Sequence, residues 1–130
     1  MKKLFYLIFS LLLISACSST APASGEKEQY KIAVKYYGMM TQAVLETSRV
    51  DETIEQKILD QKHQYDKIKN ELPESVTSKM VILENGYDAT LSSTEPELVN
   101  DAIDISVDLQ FEFMKVLTEE EVQQIKQAKD

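Results

Sequence analysis

Glycine and proline, the residues that most often let a chain turn, occur only three times each in this 130-residue sequence. A sheet needs a turn for nearly every strand, whereas a few long helices need few turns, so a helical protein is the default. Because its formal charge is -8, the protein would gain no free energy from counterion release on binding a phosphate backbone, so we expect no nucleic-acid binding. One cysteine and one histidine exclude an internal disulfide and a Cys/His zinc site.

The first residues form a unit of their own with a basic start. Lys2 and Lys3 precede residues 4–16, which carry no charge. As a helix this stretch would be about 20 Å long, too short for a hydrocarbon core of about 30 Å. The pattern therefore predicts a cleaved signal peptide at residues 1–16 rather than a membrane span.

The signal peptide ends in Ile14-Ser15-Ala16-Cys17, which resembles the lipobox of bacterial lipoprotein precursors, although leucine is more usual than Ile14. The resemblance implies that a diacylglyceryl group is joined to the sulfur of Cys17 and that cleavage occurs just before it. It also implies acylation of the new amino terminus, and two or three acyl chains anchor a protein stably where one does not. The alternative is a secreted protein that begins at Cys17 with a free thiol.

Residues 18–25 are small, and their only apolar side chains are those of alanine and proline, which bury too little surface to compensate for ordering the segment. We expect residues 17–25 to be the lipidated amino terminus and a flexible tether, and residues 26–130 to be the folded domain. The lipobox implies attachment to the cell membrane or the outer membrane, on the extracytoplasmic side. Ser18 is compatible with export to an outer membrane, but the sequence does not distinguish a one-membrane from a two-membrane host.

Apolar residues of the mature chain recur at steps of three and four, the spacing of one helical face. One such stripe covers residues 30–47 and another covers 50–72. The two are either one continuous helix or two helices. We favour a break at residues 48–51, because Asp51 can cap the second helix.

Pro73 ends this pattern, and a third stripe follows over residues 76–91, with Gly86 leaving its end uncertain. Two capping boxes predict the later helix starts, one at Thr94 to Glu97 and one at Thr118 to Glu121.

Residues 103–113 alternate between apolar and polar, as in an amphipathic strand. If the segment that contains them is instead a helix, its charged residues all lie on one narrow arc of the helix surface. A single strand, in contrast, would have no other strand to pair with. We predict a helix here, and its wide apolar side predicts the best-buried element. The fold class is all-α, an antiparallel bundle of three or four helices with a short C-terminal helix from about Glu119.

Acidic residues predominate over residues 84–121, where Lys115 is the only base. Asp101, Asp104 and Asp108 share a helix face and are candidates for a cation site or a docking face. They cannot form a calcium loop, because side chains on one straight helix do not converge on one ion. A solvated face is the simpler interpretation.

Tyrosines and methionines are candidates to line a groove, although at helical spacing most should be core. We expect Tyr36 and Met39 to be the exposed members, because they lie off the main stripe. The full set is Tyr30, Tyr36, Tyr37, Tyr65, Tyr87, Met39, Met40 and Met80. His63 should lie at a helix surface without a catalytic role.

The mature sequence contains no recognisable catalytic constellation, metal-ligand motif or cofactor motif, so the one site residue is Cys17, for lipid attachment. We expect a non-enzymatic, lipid-anchored envelope protein without cofactors, which binds the membrane through its anchor and another envelope protein or the cell wall through its bundle. Its layout resembles the small helical lipoproteins of bacterial envelopes. The alternative is a binder of small molecules or cations in transport or sensing, with a groove between the first helix and the acidic fourth. The oligomeric state stays open.

Overall fold

The computed structural model describes residues 24–127, and every regular element in this range is a helix. The five α-helices are α1 (Ser24–Leu45), α2 (Glu52–Ile68), α3 (Glu74–Ser92), α4 (Pro96–Phe113) and α5 (Glu119–Gln127). The predicted all-α class is confirmed, and so is the helix over residues 103–113. The predicted signal peptide and Cys17 lie outside the described residues. Helix α1 begins two residues before the predicted start of the domain at residue 26.

The predicted break between the first two helices is confirmed. Helix α1 ends at Leu45, and a 3₁₀ turn at Thr47–Arg49 follows it. The side chain of Asp51 accepts a hydrogen bond of 2.9 Å from the backbone amide of Ile54. Asp51 therefore caps the free amides at the start of α2, as its position predicted.

The capping box before α5 is also confirmed. The Thr118 hydroxyl accepts a 3.1 Å hydrogen bond from the amide of Glu121, and the Glu121 carboxylate accepts a 2.9 Å bond from the amide of Thr118. The flanking apolar residues, Leu117 and Val122, are both buried. The short C-terminal helix therefore begins where the sequence placed it.

The capping box predicted at Thr94 to Glu97 is wrong. The residue that precedes α4 is Glu95, and its side chain makes no capping hydrogen bond. The hydroxyl of Thr94 instead lies 2.7 Å from that of Ser92. The short connection turns through left-handed backbone at Ser93 and Glu95, which carries Thr94 out of the capping position.

Helix α1 is the central element and contacts each of the other four helices. The first four helices alternate in direction: the Tyr37 hydroxyl of α1 reaches the carbonyl of Ser106, whereas the earlier Tyr30 packs on the later Phe113 of α4. Helices α3 and α4 form an antiparallel hairpin with the most extensive contact in the structure. The bundle is therefore a hairpin of α3 and α4, with α1 packed on it and α2 on the other flank of α1.

Helices α3 and α4 approach most closely at Gly86, through which α3 continues to Ser92. A Cβ atom at Gly86 would lie 2.1 Å from the Cβ of Ala102 and 2.8 Å from the carbonyl oxygen of Leu98. Glycine is needed here because any side chain would push the two helices apart.

The best-buried element is α1, so the prediction that the fourth helix is best buried is wrong. Helix α1 buries Tyr30, Ala33, Val34, Tyr36, Tyr37, Met40, Ala43 and Val44, whereas α4 buries Ala102, Ser106, Leu109 and Phe113. The reason is position: α1 has helices around it, whereas the apolar side of α4 is only half-buried at Val99, Ile103 and Ile105. Val107 and Phe111, which lie outside that apolar side, are 56% and 63% exposed.

A candidate binding groove between α2 and α3

An open groove of about 910 Å³ lies between α2 and α3, with α1 beneath it. Helices α2 and α3 make little contact with each other along this side, because α2 packs mainly on α1 and α3 packs mainly on α4. The lining residues are Tyr36 from α1; Glu52, Glu55, Gln56, Ile58, Leu59 and Lys62 from α2; and Glu84, Asn85, Tyr87, Asp88 and Leu91 from α3. The groove thus combines apolar side chains with four carboxylates and one lysine.

The inner end of the groove is fixed by hydrogen bonds and ion pairs between the three helices. The Tyr36 hydroxyl donates a 2.7 Å hydrogen bond to Oε2 of Glu84. The Lys62 ammonium lies 3.7 Å from the same oxygen and 3.2 Å from Oδ2 of Asp66. Burial, and then the hydrogen bond to Glu84, raise the pKa of Tyr36 far above its usual value, so the phenol stays a donor.

The middle of the groove holds Tyr87, a tyrosine without a hydrogen-bond partner among the described residues. Tyr87 is 8% exposed and lines the groove, and its hydroxyl makes no hydrogen bond within residues 24–127. Burial, and then the negative charges of Glu55 and Asp88, raise the pKa of Tyr87 to about 12. One carboxylate from each wall therefore acts on this phenol, which is neutral at physiological pH.

The acidic side chains of the outer groove have no counterions within the described part of the chain. Among residues 24–127, Glu52, Glu55 and Asp88 form no ion pair with a basic side chain, and all three are exposed. Two leucines lie beside them, Leu59 at 44% and Leu91 at 39% exposure. This part of the groove can hold a positive charge and an apolar group at the same time.

The structure corrects the expectation for Tyr36, which is 2% exposed, while Met39 is half-buried. Tyr36 faces α2 rather than solvent, and its ring centroid lies 5.2 Å from that of Tyr65. Helix α1 buries residues on both flanks because α2 packs on one side and the α3–α4 hairpin on the other. The apolar stripe predicted over residues 30–47 follows one face of the helix, so it accounts for only one of these flanks.

The groove expected between the first helix and the acidic fourth is closed. The Tyr37 hydroxyl donates a 2.8 Å hydrogen bond to the carbonyl oxygen of Ser106. The Phe113 ring packs edge-on against Tyr37, at a centroid distance of 5.1 Å, and against Tyr30, at 6.2 Å. These aromatic side chains fill the interface between α1 and α4, so this version of the small-molecule hypothesis is wrong.

The other candidates from the sequence lie apart from the groove. Asp101, Asp104 and Asp108 are exposed along a shallow depression between α3 and α4. Within the described part of the chain, no three His, Cys, Asp or Glu side chains are arranged to hold a metal ion. His63 is exposed, as expected.

Tyr36 and Tyr87 were among the predicted candidates to line a groove, but sequence reasoning missed Glu55, Glu84 and Asp88 as members of the same site. The available signal was Leu59, an apolar residue off the α2 stripe, but its relation to α3 depends on how the helices pack. No helix between residues 24 and 127 is long and apolar enough to cross a bilayer. The chain matches no protein-family model, no curated protein and no solved structure.

Proposed function

We propose that this chain is a lipid-anchored, non-enzymatic protein of the bacterial envelope whose helical bundle binds another envelope protein. The anchor rests on the basic start, the apolar run and the lipobox that ends in Cys17. The binding role rests on one observation, the open groove between α2 and α3, in which apolar side chains and unpaired carboxylates lie together. The anchor would hold the protein at the cell membrane or the outer membrane.

The distance from anchor to bundle is short on this proposal. Six residues separate Cys17 from the start of α1 at Ser24. Even fully extended, this connection reaches at most about 25 Å at about 3.5 Å per residue. The bundle would therefore stay near the membrane, and its partner would be an envelope component within that reach.

The anchor is tested by replacing the acylated thiol. The wild-type protein should partition into the detergent phase of a Triton X-114 extraction and incorporate labelled palmitate, whereas Cys17→Ser should do neither, because acylation requires the sulfur. Ser19→Ala is the matched control and should behave as wild type. Recovery of the wild type as a soluble protein with a free thiol would support simple secretion instead.

The binding role is tested by site-specific photocrosslinking in intact cells. A photoreactive residue at Leu59, inside the groove, should give a discrete adduct that mass spectrometry identifies. The same residue at Glu120, on α5, should not give that adduct. If neither position or both positions yield it, the groove is not the binding surface.

The alternative is a binder of small molecules or cations, and the size of the groove favours it as a second candidate. Its volume of about 910 Å³ lies within the range of small-ligand pockets, about 300–1,000 Å³. A saturable increase of the melting temperature with polyamines or Ca²⁺ would support this alternative.

A further inference from the structure

We infer that the groove between α2 and α3 is a docking site for a basic amphipathic helix of the partner, an inference that rests on the proposed binding role. Three observations carry it: the distribution of charge along the bundle, the shape and lining of the groove, and the phenol of Tyr87, which has no hydrogen-bond partner within residues 24–127.

The charge of the bundle is concentrated at one end. The contacts from Tyr36 to Glu84 and from Tyr37 to Ser106 mark its middle level. The half that contains the start of α1 comprises residues 24–35, 61–83 and 106–127 and carries ten acidic and nine basic residues. The far half comprises residues 36–60 and 84–105 and carries eleven acidic and only two basic residues. The two halves carry similar numbers of acidic residues, but almost the whole net negative charge lies at the end away from Ser24.

The groove opens in this far half. Its α2 wall runs from Glu52 to Lys62, about 15 Å at 1.5 Å per residue. That length accommodates about three turns of a helix. The negative electrostatic potential of this half favours the approach of a cationic ligand. The lone lysine of the groove, Lys62, is already engaged by Asp66 and Glu84 at the inner end. The outer groove is therefore free to accept positive charge.

The lining fits an amphipathic helix better than a bare cation. Leu59 and Leu91 are exposed in the groove and offer contacts to apolar side chains at helical spacing. Glu55 of α2 and Asp88 of α3 line the groove together with Tyr87, and their negative charges raise the pKa of Tyr87. A lysine or arginine side chain placed over Tyr87 would pair with both carboxylates and lie against an aromatic ring. The helix bound in the groove would thus supply the positive charge that this end of the bundle lacks.

The test uses the full acylated chain in a non-ionic detergent and a fluorescent peptide of about 18 residues, long enough to be helical, with leucines on one face and lysines on the other. Fluorescence anisotropy, corrected with empty micelles, should show saturable binding. Glu55→Gln combined with Asp88→Asn should weaken binding about fivefold, from the loss of two partly exposed ion pairs. Asp101→Asn combined with Asp104→Asn removes the same charge from the same half outside the groove, and it should change the affinity less than about twofold.

Two further arms separate an amphipathic helix from other ligands. Leu59→Ser should weaken peptide binding, and a peptide with glutamate in place of lysine should not bind. Any one of four results would overturn the inference. The peptide does not bind saturably, or the two double variants lose affinity equally. Alternatively, Leu59→Ser binds the peptide as tightly as wild type, or spermine at matched charge displaces the peptide fully. Palmitate labelling of the same preparation reports on the anchor independently, so failure of the groove and failure of the anchor are distinguishable.

Discussion

The hydroxyl of Tyr36 in α1 donates a 2.7 Å hydrogen bond to the carboxylate of Glu84 in α3, in a position where Tyr36 is 2% exposed. The bond joins the central helix to the hairpin and orders one end of the groove. It is also the contact most opposed to the expectation from the sequence, which placed Tyr36 at the surface.

Removal of this hydroxyl should destabilise the fold measurably. Tyr36→Phe should lower the free energy of unfolding by about 1.5 kcal/mol, the loss expected for a hydrogen bond to a charged acceptor. Tyr65→Phe is the control, because the Tyr65 hydroxyl has no hydrogen-bond partner among the described residues. Urea unfolding of both variants measures the difference. Equal losses would show that the hydrogen bond contributes nothing specific.

The space around Gly86 and around Gly38 predicts unequal costs for alanine substitution at the two positions. Gly86→Ala should cost about 2 kcal/mol, because the new methyl group meets Ala102 and the backbone of Leu98, and this overpacking exceeds the gain in helix propensity. Gly38→Ala should change stability by less than about 0.5 kcal/mol, since the new methyl group meets mainly the flexible side chain of Lys126. Thermal unfolding compares the two.

A second substitution tests this explanation. Ala102→Gly in the Gly86→Ala background removes the nearer of the two clashing groups and should restore part of the lost stability. If it destabilises the protein further, the methyl contact is not the cause.

The two threonines that share the capping-box sequence predict unequal effects of substitution, because only Thr118 forms a cap. Thr118→Ala should cost about 1 kcal/mol, because the amide of Glu121 loses its acceptor at the start of α5. Thr94→Ala should cost less than about 0.5 kcal/mol, because Thr94 caps no helix. Amide hydrogen exchange should be accelerated in α5 by the first change alone, and faster exchange at the start of α4 with Thr94→Ala would contradict the observed connection.

Acid should remove a stabilising interaction at Glu112. Hydrogen bonds from Lys79 at 3.0 Å and from Lys115 at 3.2 Å lower the pKa of this carboxyl below its ordinary value of 4.5. A depressed pKa in the folded state stabilises the fold above the unfolded-state pKa, and this contribution is lost as the pH falls through the folded-state value. Wild type should therefore be more stable than Glu112→Gln at pH 7, and the difference should shrink below pH 4.5.

Urea unfolding at several pH values measures this difference. Asp108→Asn is the control, because Asp108 is exposed and forms no ion pair within residues 24–127. A difference between wild type and Glu112→Gln that persists unchanged at acidic pH would exclude ionisation as the cause.

Local chemistry explains which parts of the fold could be predicted from the sequence. Asp51 and Thr118 cap helices because each acts on amides within three residues of itself. Thr94 has the same sequence pattern, but the left-handed backbone of the short connection between α3 and α4 displaces it. Whether a cap forms there depends on how two helices meet, which no local pattern contains.

Packing between helices explains what could not be predicted of the site. Tyr87 belongs to a predicted apolar stripe, yet its position beside Glu55 depends on α2 and α3 lying next to each other with a gap between them. The burial of Tyr36 depends on α1 having neighbours on both flanks. The lipobox at Cys17 stays a prediction, because it depends on linear sequence alone and lies outside the described residues.

The central position of α1 has a consequence for the order in which the chain folds. The α3–α4 hairpin closes through a connection of three residues, so its contacts cost little chain entropy. Tyr37 finds its acceptor at Ser106, 69 residues away, so α1 cannot complete its packing until α4 is present. Helix α1 is synthesised before α4 but completes its packing after α4 is present, and its large tyrosines stay exposed in the meantime. We therefore expect a folding nucleus in the hairpin, with late docking of α1 as the step most open to aggregation.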